Sequence, residues 1–159
     1  MDENKIKGAV NKALEQLLDS DQYLLSNDVN ERSISHRLAI YLEPLFPEWH
    51  VDCEYNKNHD DPKRLRIPRR KIVSADTQAT TVYPDIIVHK RNTDKNLLVI
   101  EMKKTSNQED DIYDLHKLKA FKEQLGYEYS IFLKLKVGAT VSQRLFWGER
   151  ESNWFIETM

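Results

Sequence analysis

The stretch Tyr83–Lys104, YPDIIVHKRNTDKNLLVIEMKK, decides how this chain folds. Ile86-Ile87-Val88 and Leu97-Leu98-Val99-Ile100 are short apolar runs rich in β-branched residues, and such runs bounded by turn formers read as strands. Between them RNTDKN supplies Asn and Asp, which hydrogen-bond their own backbone and tolerate left-handed conformations, so it reads as a turn. The expected unit is an antiparallel hairpin with strands at Tyr83–His89 and Leu97–Lys103. Side chains alternate faces along a strand. Glu101 and Lys103 therefore share one face, while Ile100 and Met102 take the other. In an antiparallel pair the numbers of opposed residues sum to a constant. A turn centred on RNTDKN makes that sum close to 187, and Asp85 with Glu101 gives 186. Two carboxylates are expected opposite one another, roughly 5 Å apart at Cβ.

Outward from this hairpin the pattern turns helical. Ile6, Val10, Ala13, Leu14, Leu17 and Leu18 recur at helical spacing over residues 3–19. SDQYLLSND then reads as a polar break rich in cap-forming residues. A second helix is expected from Val29 to Glu43, with Ile34, Leu38, Tyr41, Leu42 and Leu45 along one side, stopped by Pro44 and Pro47. Trp49–Tyr55 alternates apolar and polar residues, a strand signature. NKNHDDPKRLRIPRR has no clean period and two prolines, so it reads as a loop or an irregular edge hairpin, and Ile72–Tyr83 is ambiguous. Beyond the hairpin a third helix is expected over Glu109–Leu125, with Ile112, Leu115, Leu118, Phe121 and Leu125 inward and Gly126 as its stop. Tyr129–Val137 reads as a strand, and the tail around Trp147, Trp154, Phe155 and Ile156 as one more short strand. The order ααβ(β)ββαβ(β) describes a single α/β domain with a mixed sheet.

At 159 residues the chain suits one domain with one core. Hydrophobic residues at 40% and charged residues at 31% place it with globular chains. No apolar run exceeds about four residues, whereas a membrane helix needs about 20. The N-terminal MDENKIKGAV has no apolar leader region, so the expectation is a cytoplasmic protein with no membrane partner. A single cysteine, Cys53, excludes an intrachain disulfide and a thiolate zinc cluster; it reads as a small buried hydrophobe. Four scattered glycines leave no Gly-rich loop for a nucleotide phosphate. Net charge is −2, unevenly spread. Between Lys57 and Val73 seven Lys or Arg stand against Asp60 and Asp61, a local +5, which leaves −7 for the rest. A basic stretch on an acidic body suits contact with a polyanion.

The opposed carboxylates carry the chemistry. Like charges face to face are unfavourable unless something positive lies between them. A divalent cation meets that need, and Lys103 adds to it. Two carboxylates and a backbone carbonyl form a partial shell for Mg²⁺, which keeps several waters and accepts phosphate oxygens. A lysine beside such an ion positions or helps deprotonate an attacking water and stabilises charge building on phosphate. Together these features point to metal-assisted phosphodiester hydrolysis.

Pro84-Asp85, fifteen intervening residues and Glu101-Met102-Lys103 resemble the signature of the PD-(D/E)XK nuclease superfamily, the restriction-endonuclease-like fold. The resemblance implies an αβββαβ core over Val29–Val137, a central mixed sheet flanked by helices, here with an extra N-terminal helix. It implies that Asp85 and Glu101 bind a catalytic Mg²⁺ or Mn²⁺, joined by the backbone carbonyl of Met102, and that Lys103 is catalytic. Many relatives add a glutamate from the helix before the sheet. Glu31 fits that role, opening the second helix at helical spacing from Ile34, Ser35 and Leu38. On the third helix Asp114, Lys117 and Gln124 read as a solvated face, and the resemblance makes Lys117 a candidate accessory residue. The Q-x-x-x-Y pattern of some relatives is not met, since the tyrosine after Gln124 is at 127.

Lys63, Arg64, Arg66, Arg69, Arg70 and Lys71 form a candidate nucleic-acid-contacting arm just before the hairpin. Phosphate neutralisation of this kind gives affinity without reading sequence. His89 reads as a satisfied strand histidine, and Trp147, Trp154 and Phe155 as packing residues. The expected function is a metal-dependent nuclease of restriction, repair or phage-defence type, with DNA the foremost substrate. No separate target-recognition domain is expected within these 159 residues, so sequence-specific cutting would need a homodimer or a partner subunit. The alternatives are a non-catalytic nucleic-acid- or protein-binding module of the same fold, and a nuclease subunit of a larger complex.

Overall fold

The first apolar stripe forms a helix, α1 (Glu3–Ser20), which begins where the Asp2 carboxylate accepts the Lys5 N–H at 2.9 Å. The stripe from Ile6 to Leu18 is buried as read. The polar break proves partly helical: Gln22–Ser26 forms a short α2, whose Leu25 enters the core. A third helix, α3 (Glu31–Leu42), is capped by Asn30, whose side chain accepts the Ser33 N–H at 2.9 Å. Pro44 falls in the 3-10 turn Glu43–Leu45 that ends it.

This computed structural model describes residues 1–58, 61–67, 79–138, 144–150 and 153–158. The strands follow as β1 (His50–Cys53), β2 (Lys57–Asn58), β3 (Asp61–Pro62), β4 (Arg64–Arg66), β5 (Ala79–Thr81), β6 (Ile86–His89) and β7 (Asn96–Lys104). Then come α4 (Ile112–Leu125), β8 (Tyr129–Leu135), β9 (Leu145–Arg150) and β10 (Asn153–Thr158). Gly126 ends α4 in the left-handed conformation, φ 68°, which glycine adopts without steric cost. In the basic arm β2 pairs with β3 and β4 with β5, two small antiparallel ladders.

Six strands form one sheet in the order β1-β6-β7-β8-β10-β9. The β7–β8 and β8–β10 pairs are parallel, and the other three are antiparallel. Parallel neighbours need a long crossover, and α4 provides it between β7 and β8. The tail forms two strands where one was expected. Its second strand, β10, lies between β8 and β9.

Both faces of the sheet are covered. Ile86, Val88, Ile100, Met102, Ile131 and Leu133 pack with α1 and α3 in one core. Ile87, Val99 and Phe132 pack with Leu118 and Phe121 of α4 in the other, joined by Leu65 and Ile67 from the arm. Burial on both sides is why the central strands read as continuous apolar runs. The architecture is thus mixed α/β, a six-stranded mixed sheet flanked by helices. Among the described residues no helix is long and apolar enough to cross a membrane.

The tail aromatics pack, as read. Trp154 stacks on Tyr129 with ring centroids 5.1 Å apart, and the Trp147 indole N–H donates to Asn11 of α1 at 2.6 Å. Cys53 is half-buried in β1, where burial first, then the charges of Asp85, Asp52 and Glu54, push its thiol up to about 11. It is inert at neutral pH.

Candidate active site

The hairpin pairs Ile86 with Ile100, Ile87 with Val99 and Val88 with Leu98, a constant sum of 186. One step further along the ladder sets Asp85 opposite Glu101. The register slips by one only at the turn end, between Val88 and His89, and Asn92 in the turn takes a positive φ of 57°. Strand β6 starts at Ile86, later than expected, because Pro84 has no N–H to give to a ladder. The Asp85 side chain ties this end of the strand to β7 instead, with its Oδ2 accepting the Met102 N–H at 2.7 Å. Met102 turns its side chain into the α1–α3 core. The backbone of β7 thereby holds the Asp85 carboxylate beside Glu101.

Glu101 is buried, with 2% of its surface exposed. Its Oε2 accepts from the Lys117 ammonium at 2.9 Å, while Oε1 is buried with no hydrogen-bond partner among the described residues. Lys117 also donates to the Tyr83 carbonyl at 3.0 Å, two residues before Asp85. Burial raises the Glu101 carboxyl well above the usual range; Lys117 opposes this and Asp85 adds to it. Burial likewise pushes Asp85 up to about 6, against the pull of the Met102 N–H and Lys117. Burial draws the Lys117 ammonium down, but Glu101 and Asp85 outweigh it and hold it above its ordinary value. The positive group expected between the carboxylates is therefore present, and it comes from α4.

Lys103, expected to serve that pair, points elsewhere. Its ammonium lies 2.7 Å from Asp114 Oδ2, an ion-pair contact without the alignment of a hydrogen bond, and 3.6 Å from Asp111. It also donates to the carbonyls of Asp110 at 2.7 Å and Glu109 at 3.3 Å. Lys134 on β8, its neighbour in register, donates to Asp111 at 3.1 Å. Lys103 thus fastens the chain entering α4 to the sheet. The solvated face read for Asp114, Lys117 and Gln124 is corrected by the same geometry for the first two, while Gln124 is exposed as read. Asp114 and Lys117 face the sheet, and Gln124 clamps β4 by accepting from the Arg66 N–H at 3.0 Å and donating to its carbonyl at 2.9 Å. The signal was in the sequence: Asp114, Lys117, Leu118, Phe121 and Leu125 fall on one helical stripe, polar at its start and apolar after. Asp111 and Lys134 were missed because nothing local marks them.

Glu31 stands at the C-terminal end of β7, where its Oε2 accepts the Lys104 N–H at 2.9 Å. Its charge is felt at Asp85, adding to the upward shift there. Lys63 was expected in the phosphate-contacting arm but is buried, 1% exposed, with its ammonium donating to the Tyr55 carbonyl at 3.1 Å. Alternation explains it, since Lys63, Leu65 and Ile67 share the inward face. Burial draws its ammonium down to about 8. Arg64 and Arg66 are exposed. Arg69, Arg70 and Lys71 lie outside the described residues.

The arrangement offers hard carboxylate oxygens in a pair. Among the described residues no three His, Cys, Asp or Glu side chains converge as a metal-holding group. Comparison with protein-family models, curated proteins and solved structures finds no match for this chain.

Proposed function

We propose that this chain is a divalent-metal-dependent nuclease that hydrolyses phosphodiester bonds, DNA foremost, with a restriction-endonuclease-like core. One observation carries the reading. The hairpin register, carried one step past Ile86–Ile100, brings the half-buried Asp85 opposite the buried Glu101, and Glu101 Oε1 has no hydrogen-bond partner among the described residues. A buried, unsatisfied carboxylate oxygen costs stability, so its place in the fold calls for a ligand. An all-oxygen donor set suits Mg²⁺ or Mn²⁺. Asp85 and Glu101 would hold the ion, with the Met102 carbonyl as third donor. The bound ion supplies Lewis acidity toward phosphate and a water activated near neutral pH. Glu31 borders the pair, Lys117 brings positive charge to it, and Arg64 and Arg66 offer exposed cations to a phosphate backbone.

A second reading is a non-catalytic nucleic-acid- or protein-binding module. The Lys117–Glu101 ion pair favours it, since a carboxylate already neutralised has less need of a metal. A cleavage assay on single-stranded, duplex and branched DNA and on RNA separates the two. We expect cutting with Mg²⁺ or Mn²⁺ that EDTA abolishes, and a loss of about a hundredfold or more in Glu101→Gln. A folded wild type that cuts none of these substrates would favour the module.

A further inference from the structure

Lys117 occupies the place where a cation belongs. It reaches in from α4, beside Leu118, whose side chain is fully buried. The Lys117 side chain is 13% exposed and that of Glu101 3%, so their contact is shielded from water. Its two hydrogen bonds, at 2.9 Å to Glu101 and 3.0 Å to the Tyr83 carbonyl, bracket Asp85 from both sides in sequence. Resting on the nuclease reading above, we propose that Lys117 is a tethered cation that closes the Asp85–Glu101 pair, and that a divalent ion loads only by expelling its ammonium.

The physical argument is one of competition. An ammonium and a metal ion would answer the same negative charge, and holding both against one buried carboxylate adds a repulsion of like charges. Exchanging Lys117 for a monovalent ion gains nothing, because one unit charge replaces another. A divalent ion brings a second charge to two carboxylates, so the tether selects for it. Glu101 Oε1 is the oxygen through which exchange begins, being buried and not already taken among the described residues. Departure is easy on the protein's side: the lysine stem rotates about four carbons while the buried side of α4 stays in the core. Asp114, three residues earlier on α4, also draws on the Lys117 charge but is already held by Lys103, so the displaced ammonium turns outward to solvent.

The test is a Mn²⁺ titration of wild type and Lys117→Met at pH 7.5, read from the electron paramagnetic resonance of the free ion. Lys117→Met is expected to bind Mn²⁺ at least about tenfold tighter, because the competing charge is gone. In parallel, trace acetylation of the wild type, mapped by peptide mass spectrometry, should leave Lys117 unreacted without metal. Saturating Mn²⁺ should bring it toward the reactivity of the half-exposed Lys119. This arm decides the matter if Lys117→Met does not fold. Equal or weaker Mn²⁺ binding by a folded Lys117→Met, or unchanged Lys117 labelling in metal-saturated wild type, overturns the tether alone. If neither protein binds Mn²⁺, the tether and the nuclease reading fall together.

Discussion

The two ends of strand β6 place carboxylates on the same face of the same sheet and treat them in opposite ways. At its C-terminal end, His89 lies 2.8 Å from Asp52 on the neighbouring strand, and the Arg91 guanidinium donates to both oxygens of that carboxylate. Burial raises the Asp52 carboxyl, but these partners outweigh it and hold it well below the usual range. At the N-terminal end the balance reverses. Burial prevails over the Met102 N–H and Lys117, and Asp85 is pushed up to about 6. One end is a finished ion-pair cluster that stabilises the fold. The other carries charge that the fold does not fully answer, which is where a ligand would find free energy of binding.

The largest expected effect tests the unanswered end. A carboxyl near 3.9 in the unfolded chain and about 6 in the fold binds its proton more tightly when folded. Its contribution to stability therefore falls as pH rises from about 4 to 6, and above that the penalty is complete. Asp85→Asn should remove it while still accepting the Met102 N–H. In EDTA at pH 8 the variant should be more stable by about 2–3 kcal/mol in urea unfolding, with no difference near pH 3.5. Cleavage should be lost. A variant less stable than wild type at pH 8 would make the two ends alike.

Asp52 has the opposite sign and a smaller size. Its folded pKa is depressed, so its contribution is complete above about 3.9 and is lost as pH falls from there toward the folded value. Asp52→Asn should cost about 1–2 kcal/mol at pH 7. Arg91 is half-exposed, and solvent screens its share. The cost should shrink as pH falls below 4, and metal binding should be unchanged. Thermal melts of both proteins across that range, with Mn²⁺ titrations at neutral pH, read out each part.

These contrasts mark what could be read in advance. The opposition of Asp85 and Glu101 was legible because a turn and a period of two suffice to set a register. The buried stripe of α1 and the left-handed stop at Gly126 were legible for the same local reason. The partner of each lysine was not. Periodicity places Lys103 on the face of Glu101, yet its flexible stem reaches Asp114, and only the docking of α4 decides between them. The position of β10 between β8 and β9 depends on pairing across the chain, which no window of sequence contains. Lys63 was misplaced because its charge masked an alternation that its neighbours Leu65 and Ile67 spell out.

The smallest expected effect concerns the one buried oxygen near Asp52 that departs from this order. Tyr127 is 2% exposed, its ring meets Phe121 edge-on at 5.5 Å, and its hydroxyl has no hydrogen-bond partner among the described residues. Burial, with the charges of Asp52 and Tyr55, pushes that hydroxyl's pKa up, so it stays neutral and its cost is that of an unmade hydrogen bond. Tyr127→Phe keeps the ring contact and deletes the orphan oxygen. It should raise stability by up to about 1 kcal/mol and leave cleavage and Mn²⁺ binding as they are. The orphan oxygen of Glu101 should answer differently, because on the nuclease reading Glu101→Gln would remove a metal ligand as well as the partner of Lys117. If Tyr127→Phe also abolished cleavage, an unsatisfied buried oxygen would mark function at both ends of β6, and the contrast between them would dissolve.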